Sequence, residues 1–305
     1  MKKWLSISLQ IVLGAVFVVS ALTKLYPIEQ VELYVYSLGL FSWGVNEFMV
    51  RLLIAGELAL GLLLISQAYQ RFNLAVTLGV LGSLSVFLLY NAVFSNNDNC
   101  YCFGEAIPMT PLQSLGKNAI LIAIAGYLYL RGSKIQQVFS FYTLIAMPVL
   151  AVGFVLIVNG PDSWVNHDKE NHPITDNEFP ASYLPDSSQA DAVTGKRIIC
   201  LFSMRCKYCA MAGQKLTLID KRYGKDAGIR YFFFGDPEFL PYFWLKSESK
   251  QYPWQILKPE DFFRISDNSM PTIFLVENGI IKNKFGYRGL TEETIREFLD
   301  APAEK

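Results

Sequence analysis

Long apolar runs separated by short polar segments dominate the first half of the chain. Five of them are long enough to predict membrane-spanning helices, because about 20 helical residues cross the ~30 Å core of a bilayer. These runs lie at residues 5–24, 49–66, 72–94, 116–130 and 139–158. The run at 116–130 is short, and its first residues include the polar Lys117 and Asn118. The first run also has features of a cleaved signal peptide, whose removal would leave the topology of the later runs unchanged.

The pattern changes after residue 158. Residues 159–195 are polar and rich in proline, which predicts a linker. Further along, short runs rich in β-branched and aromatic residues alternate with amphipathic ones, and predict strands at 196–202, 228–235, 270–279 and 280–289 and helices at 206–223 and 291–299. An aromatic-rich insertion at 236–264 is expected to supply both core and substrate-facing surface. This order predicts a small α/β domain over residues 196–305.

Composition separates the same two halves. Hydrophobic residues make up 52% of the chain, and the mean hydropathy is +0.27. Residues 1–158 contain 8 Lys or Arg and 6 Asp or Glu, whereas residues 159–305 contain 19 and 21. The first half therefore has the composition of a membrane protein and the second that of a soluble domain. The formal net charge is zero and no basic run is present, so no nucleic-acid partner is predicted.

The distribution of Lys and Arg orients the predicted spans, because cytoplasmic loops carry an excess of positive residues. With the N-terminus inside, the inner segments contain Lys2, Lys3, Arg71, Arg131 and Lys134. The outer segments contain Lys24 and Lys117, with Arg51 at a boundary. Five spans would then place the C-terminal domain outside, on the same side as residues 95–115. The sequence therefore predicts a multi-pass protein of the bacterial inner membrane with a cytoplasmic N-terminus and a periplasmic C-terminal domain.

The motif Cys206-Lys207-Tyr208-Cys209 follows a predicted strand and begins a predicted helix. Backbone N–H groups and the helix dipole at such a position stabilise a thiolate on Cys206, and Arg205 and Lys207 add positive charge. Cys206 is therefore the predicted nucleophile and Cys209 the resolving thiol. A structural zinc site is the alternative, but it would need a second pair of Cys or His ligands, which does not accompany this motif.

Residues 196–300 resemble the thioredoxin-like family. The resemblance rests on the strand–CxxC–helix at 198–222 and on Ser269-Met270-Pro271-Thr272 before a later strand. It implies that the Met270–Pro271 bond is cis, and that these two residues lie beside the CxxC and bind the backbone of a substrate protein. The dipeptide Lys-Tyr replaces the Gly-Pro typical of the family, and no Trp precedes Cys206, so the resemblance leaves the redox potential open.

Three other potential ligands are given non-catalytic interpretations. Cys200 alternates with core-facing residues in the first predicted strand, and it is expected to be a buried, unreactive thiol. His167 and His172 lie in the predicted linker without a cysteine or a carboxylate cage, and are expected to be solvated rather than to bind a metal. No metal or other bound cofactor is predicted.

Cys100 and Cys102 form a second pair, in the polar loop at 96–111 on the predicted outer face, where disulfides persist. A metal clip would lack partner ligands, and a structural disulfide would close too small a loop to remove much chain entropy. Bridging residues i and i+2 needs a tight, strained turn, and strain makes a disulfide easier to reduce. The pair is therefore predicted to be a redox couple, and which cysteine is attacked first is left open.

Residues 1–130 resemble the MauE/DoxX-like membrane proteins, four-helix bundles associated with periplasmic disulfide chemistry. The resemblance rests on Arg51, Glu57, Cys-Tyr-Cys-Phe-Gly-Glu at 100–105 and Lys117-Asn118. Glu57 would lie about 9 Å deeper in the membrane than Arg51, and an ionisable group at that depth is a candidate functional residue. Two roles are open: Glu57, with Arg51, relays protons released by thiol chemistry, or Glu57 pairs with a basic residue in the packing of the bundle.

The predicted architecture is an α-helical transmembrane bundle (1–158), a linker (159–195) and an α/β thioredoxin-like domain (196–305). The predicted function is a thiol–disulfide oxidoreductase that exchanges disulfides with periplasmic client proteins through Cys206 and Cys209. Electrons would then pass to Cys100 and Cys102. Besides its clients, the predicted partner is the lipid bilayer.

Two alternatives remain at this point. A periplasmic disulfide reductase would use the same fold in the opposite direction, but it would need electrons from the cytoplasm, and no cysteine is predicted in the inner half of any span. A non-catalytic membrane assembly or binding factor would need neither cysteine pair. A quinone is one candidate for the terminal electron acceptor. Vitamin K epoxide reductase homologues share the fused architecture, but their membrane-embedded CxxC is absent here. The client and the oligomeric state follow from none of these patterns.

Overall fold

The computed structural model of the protein describes residues 2–94, 100–105, 107–131, 140–164, 178–223 and 228–302. The chain divides into two compact units, one formed by residues 1–40 and 45–161 and the other by residues 41–44 and 162–305. His167 and His172, for which we predicted a solvated environment, lie outside the described residues.

The described part of the first unit is helical. Its helices are α1 (Lys2–Leu25), α2 (Ile28–Ser37), α3 (Trp43–Ser66), α4 (Gln70–Phe94), α5 (Pro111–Arg131) and α6 (Ser140–Val158). Within the described residues, four segments are long and apolar enough to cross a membrane: Trp4–Leu25, Trp43–Ser66, Gln70–Val93 and Phe141–Val158. Four of the five predicted spans are thereby confirmed. The fifth predicted span corresponds to α5, whose 21 residues reach about 31 Å. Helix α5 is therefore long enough to cross a membrane, but its first two turns are polar and it is less apolar than the other four segments.

Helices α1 and α3 are in backbone contact. A Cβ atom at Gly14 would lie 2.7 Å from the carbonyl oxygen of Gly61, and one at Gly61 would lie 2.8 Å from that of Gly14. Small residues allow this approach of two helices in a membrane, where dispersion and hydrogen bonds drive association. The crossing brings the polar residues near the end of α1 within reach of α3, where they form part of the site described below.

Helix α2 was not predicted. It lies between the first two predicted spans, and polar residues such as Glu29 and Glu32 interrupt its apolar pattern. Both carboxylate residues are nevertheless buried in the unit. Sequence periodicity missed the helix because it buries polar as well as apolar positions.

The second unit contains a five-stranded sheet with the order β3-β2-β1-β4-β5. Its strands are β1 (Lys196–Ser203), β2 (Ile229–Phe234), β3 (Trp254–Ile256), β4 (Thr272–Glu277) and β5 (Ile280–Phe285). Strands β1, β2 and β3 are parallel, whereas β4 is antiparallel to both β1 and β5. The helices are α7 (Asp186–Ala192), α8 (Lys207–Tyr223), α9 (Leu240–Ser247), α10 (Pro259–Ser266) and α11 (Glu292–Asp300). This mixed α/β domain has the thioredoxin-like element order that the sequence predicted.

Burial explains why β1 is central. Its residues Ile198–Phe202 are all buried, as expected for a strand covered on both faces by helices. The insertion predicted at 236–264 forms α9, β3 and α10, and buries Phe243 and Phe262 completely. The structure therefore supports a core role for the insertion.

The structure shortens the predicted linker. Phe179 and Leu184 are buried in the core of the sheet domain, and the Phe179 ring packs edge-on against Phe274 with 5.5 Å between centroids. Helix α7 follows, and its Asp191 forms ion pairs with Arg197 and Arg230. Residues 178–195 are thus part of the domain rather than a linker. Two apolar side chains in a polar stretch gave too weak a pattern to predict this.

Candidate redox sites

The CxxC motif occupies the turn between β1 and α8. Cys206 is half-buried, whereas Cys209 is fully buried in the first turn of the helix. The backbone N–H of Cys209 donates a hydrogen bond to the Cys206 sulfur over 3.3 Å, and the backbone N–H of Ser203 donates one to the Cys209 sulfur over 3.4 Å. The accessible thiol is therefore surrounded by donors, and the second thiol lies behind it.

These contacts give the two thiols different acidities. The hydrogen bond from the Cys209 thiol, with those from the backbone N–H groups of Cys209 and Tyr208, outweighs desolvation and lowers the pKa of Cys206 to about 7. Burial raises the pKa of Cys209 well above its ordinary range. A large fraction of Cys206 is thus thiolate at neutral pH while Cys209 is protonated, which suits a nucleophile and a resolving thiol. The guanidinium of Arg205, from which we expected further stabilisation, lies over the Phe239 ring at 4.8 Å.

A groove beside the motif contains the residues predicted to bind substrate. Met270–Pro271 is a cis peptide bond, which confirms the prediction from the family resemblance. Both residues line a cavity of about 270 Å³ together with Tyr208 of the CxxC, Tyr287 and Arg288. The structure therefore brings Tyr208 of the CxxC and the Met-Pro segment to one groove.

Cys200 lies in the middle of β1 and has no exposed surface. Burial raises its pKa well above the ordinary range, so it is a poor nucleophile. This confirms the predicted buried position. All five cysteines are free thiols in the structure.

The CxC motif of the first unit lies in a tight turn between α4 and α5. Tyr101, between the two cysteines, has φ +52°, and its carbonyl oxygen accepts a 3.0 Å hydrogen bond from the N–H of Gly104. A non-glycine residue in this left-handed conformation is uncommon and strained. A disulfide between residues i and i+2 requires a tight turn. The loop already adopts such a turn although both of its thiols are free.

The turn packs against the end of α1. The Ser20 hydroxyl donates a 2.9 Å hydrogen bond to the carbonyl oxygen of Cys102. Gly104 has φ +61°, and a Cβ atom there would lie 2.4 Å from the carbonyl oxygen of Thr23. Both contacts fix the loop backbone, and only glycine fits at position 104.

The two thiols of this loop also differ. Cys100 is only 6% exposed, and its sulfur lies 2.9 Å from the Ser114 hydroxyl, whereas Cys102 is more exposed. A hydrogen bond from the Cys102 thiol, foremost, and then the Ser114 hydroxyl and the charge of Lys117 outweigh desolvation and lower the pKa of Cys100 to about 6. The same pairing raises the pKa of Cys102. In the reduced loop Cys100 is therefore the thiolate and Cys102 the thiol.

Glu57 lies next to this loop. Both of its carboxylate oxygens are 2.6 Å from the Lys24 ammonium, and one is 3.2 Å from the Ser20 hydroxyl that also reaches the Cys102 carbonyl. The Lys24 and Glu57 side chains are only 12% and 18% exposed. Glu57 thus pairs with a basic residue, as one of the two predicted roles required. The Ser20 hydroxyl lies between the Glu57 carboxylate and the backbone of the CxC turn and contacts both.

Arg51 belongs to a different network. It pairs with the buried Glu32 of α2 and donates hydrogen bonds to the carbonyl oxygens of Asn159 and Gly160, over 2.8 and 2.9 Å. These contacts use the several donors of the guanidinium group to tie α2 and α3 to the end of α6. The structure does not bring Arg51 together with Glu57, as the first of the two roles left open for Glu57, a proton relay that includes Arg51, would require.

Sequence reasoning missed three residues of the CxC site: Ser20, Lys24 and Ser114. Ser114 has a recognisable local signal. Thr110 and Gln113 exchange hydrogen bonds between their side chains and each other's backbone N–H groups, and Pro111 starts the helix. This capping box fixes the first turn of α5 and the position of Ser114 within it.

Among the residues that the structure describes, no group of three or more His, Cys, Asp or Glu side chains is arranged to hold a metal ion.

Comparisons with known proteins cover both units. Residues 2–131 match the family model of methylamine utilisation protein MauE. This confirms the predicted MauE resemblance of the first unit. Protein TlpB of Flavobacterium psychrophilum is 28% identical over 345 aligned positions, which cover 92% of this chain and 93% of that protein. No solved structure matches the chain. The protein is therefore a multi-pass membrane protein that joins a MauE-like segment to a thioredoxin-like domain.

Proposed function

We propose that the protein is a membrane-anchored thiol–disulfide oxidoreductase that exchanges disulfides with client proteins through Cys206 and Cys209 and passes the electrons to Cys100 and Cys102. The observation that carries this proposal is the pairing of an accessible, acidic Cys206 with a buried Cys209 beside the groove that contains Met270 and Pro271. A structural dithiol needs no such difference between its two thiols.

The first half of the cycle oxidises a client dithiol. A client thiolate attacks the Cys206 sulfur of the Cys206–Cys209 disulfide, and Cys209 leaves as a thiolate. The second client thiolate then attacks the client sulfur of this mixed disulfide and releases Cys206. The client gains a disulfide, and two electrons remain on the CxxC as a dithiol. Met270 and Pro271 hold the client backbone during these steps.

The second half transfers the electrons within the chain. The Cys206 thiolate attacks the Cys100–Cys102 disulfide, and Cys209 then attacks Cys206 and releases the loop thiol. The CxxC returns to its disulfide, and the CxC is reduced. A membrane quinone is the candidate class of acceptor that reoxidises the loop.

Glu57 is the candidate for moving protons at the loop, because the Ser20 hydroxyl connects it to the CxC turn and because its depth places it in the bundle. We assign Arg51 a structural role instead, since its donors bind Glu32 and the backbone of residues 159 and 160. The Lys and Arg asymmetry supports placing both cysteine pairs on the periplasmic side of the inner membrane.

The relay is tested by trapping its intermediate. In a chain that combines Cys209→Ala with Cys100→Ala or Cys102→Ala, oxidised glutathione supplies the disulfide through which Cys206 can be joined to the remaining loop cysteine with release of reduced glutathione. Neither motif then keeps a second thiol that could resolve this bond. Non-reducing digestion and mass spectrometry should then show a peptide that joins residue 206 to the loop. Cys200 serves as an internal control, because its burial should exclude it from every such product.

Two results would contradict the relay. One is the absence of the joined peptide from both variants while client disulfides still turn over in the native protein. The other is full oxidase activity in a chain without Cys100 and Cys102, which would favour a membrane half that only binds a partner.

A further inference from the structure

The loop cysteines differ in accessibility and in the groups around their sulfurs. Cys100 is 6% exposed, whereas Cys102 has a larger exposed fraction. The Cys100 N–H also donates a 3.0 Å hydrogen bond to the carbonyl oxygen of Met109, which holds the residue against the start of α5. By residue exposure, Cys102 is therefore the more accessible of the two cysteines.

The Ser114 hydroxyl is placed to interact with an anionic sulfur. Ser114 is completely buried, and its Oγ lies 2.9 Å from the Cys100 Sγ. A thiolate has no hydrogen to donate, so the hydroxyl must be the donor once Cys100 is ionised. Hydrogen bonds to a charged group are stronger than those between neutral groups, and more so where water is excluded.

We infer that Cys102 is the sulfur of the loop disulfide that an incoming thiolate attacks, and that Ser114 is a catalytic residue that stabilises Cys100 as the leaving thiolate. The inference rests on the proposed function, because it assigns roles within the disulfide that this function requires. It gives the two cysteines of the CxC motif different roles in one exchange reaction.

The step balances with one bond formed and one broken. The attacking thiolate forms a bond to the Cys102 Sγ, and the bond between the two loop sulfurs breaks. Its electron pair remains on Cys100, which becomes a thiolate that accepts the Ser114 hydrogen bond. When a second thiolate attacks the external sulfur of the mixed disulfide, Cys102 leaves and can take up a proton to become the thiol that hydrogen-bonds with Cys100. A better stabilised leaving thiolate speeds exchange, so accessibility and leaving-group stability favour the same sulfur.

Other charged groups around the loop do not make this distinction. The Lys117 ammonium lies over the Phe103 ring at 4.5 Å and favours the anionic form of both cysteines. The Lys24 ammonium is held by Glu57 and Ser20. Lys117 therefore raises the reactivity of the loop as a whole. Ser114 also interacts with the Cys102 thiol, but its 2.9 Å contact with the Cys100 sulfur and the burial of Cys100 favour Cys100 as the leaving group.

The attack site can be identified with reduced glutathione as the probe. The full-length protein with Cys206→Ser and Cys209→Ser is purified in detergent, its loop disulfide is formed by mild oxidation, and glutathione is added. Samples are quenched in acid, free thiols are alkylated with N-ethylmaleimide, and loop peptides are sequenced by mass spectrometry. Glutathione on Cys102 with maleimide on Cys100 should exceed the reverse product at least tenfold.

The outcomes separate this inference from the proposed function. Equal amounts, or glutathione mainly on Cys100, would overturn the inference and leave the relay standing. Failure of the loop to form a disulfide at all would overturn both. Because the probe replaces Cys206, the result does not depend on whether the CxxC is the natural partner.

A second experiment tests Ser114. Ser114→Ala should slow the attack by glutathione roughly three- to tenfold and move the midpoint of Cys100 alkylation in the reduced loop upward by on the order of one pH unit. The matched control is Ser83→Ala, which removes an exposed hydroxyl that donates to the Val80 carbonyl oxygen of its own helix, and it should change neither quantity. A slower reaction with an unchanged alkylation midpoint would show a purely structural effect and would overturn the role assigned to Ser114.

Discussion

The Cys206 sulfur accepts a hydrogen bond from the main-chain N–H of Cys209 across 3.3 Å. A substitution at position 209 leaves that donor in place and removes only the thiol donor. The two contributions to the acidity of Cys206 can therefore be separated by mutation.

The pH profile of Cys206 alkylation should reflect this separation. In the native protein the rate should rise with pH and be half-maximal at about pH 7, because the thiolate is the reactive form and the pKa is lowered to about 7. In Cys209→Ala the midpoint should move upward, because the largest contribution that lowers the pKa is removed while desolvation and the backbone donors remain. Cys209→Ser, which keeps a side-chain donor, should lie between the two. An unchanged midpoint in Cys209→Ala would contradict the assigned cause.

Client trapping should distinguish the roles of the two CxxC thiols. Cys209→Ala leaves Cys206 able to attack but unable to be released, so stable mixed disulfides with client proteins should accumulate on non-reducing gels. Cys206→Ala should give none, because the remaining thiol is fully buried and its pKa is raised. Equal trapping by both variants would mean that the nucleophile has been wrongly assigned.

Membrane topology should follow the distribution of positive residues. A reporter fused after Lys305 should behave as periplasmic and one fused near Gly132 as cytoplasmic, which requires α5 to cross the membrane. Helix α5 is long enough at about 31 Å, although its first turns are polar. A cytoplasmic signal from the C-terminal fusion would exclude the proposed orientation.

The loop disulfide should be the stronger oxidant of the two pairs. Stabilising a thiolate stabilises the reduced form of a pair and raises its reduction potential. A disulfide between residues i and i+2 must close a strained turn, and strain raises the reduction potential. The hydrogen bonds that lower the pKa of Cys100 also favour the reduced loop. Equilibration of each pair with glutathione buffers, in chains that lack the other pair, should give the higher potential for Cys100 and Cys102. The opposite order would reverse the direction of electron flow and favour a disulfide reductase.

Fixation of the loop on α1 should depend on Gly104. Gly104→Ala places a Cβ atom 2.4 Å from the Thr23 carbonyl oxygen at a φ of +61°, and it should destabilise the first unit by about 1–3 kcal/mol. The control is Gly116→Ala in α5, where a Cβ atom meets nothing within 4 Å. Thermal unfolding in detergent should show a lower midpoint for the first variant only. Equal midpoints would mean that the loop does not pack on α1 in this way.

Local sequence signals predicted the parts of the protein that local sequence determines. The CxxC at a strand–helix turn, the apolar β1 and the helix at 291–299 were all predicted from such signals. The ion pair between Lys24 and Glu57 was not, because its partners lie 33 residues apart on different helices. No periodicity in one helix indicates which residue of another it will meet.

The same limit explains the missing partner of Cys100. Ser114 is 14 residues away, and a serine near the start of a helix is too common to indicate a functional role. The acidity of Cys206 was predicted in the correct direction from the helix terminus. The hydrogen bonds that lower the pKa of Cys206 come from Cys209 and Tyr208 of the CxxC turn. Arg205, which was expected to contribute, packs on the Phe239 ring instead.

The burial of Phe179 and Leu184 sets a minimum length for a water-soluble fragment of the thioredoxin-like domain. A fragment cut at residue 196 would lose both side chains, whose burial contributes about 1.5–3 kcal/mol each, and would expose the face of Phe274 that Phe179 covers. It would also leave Arg197 and Arg230 without the carboxylate of Asp191. A fragment that begins at residue 178 keeps all of these contacts. A water-soluble CxxC domain produced without the membrane half should therefore start no later than residue 178.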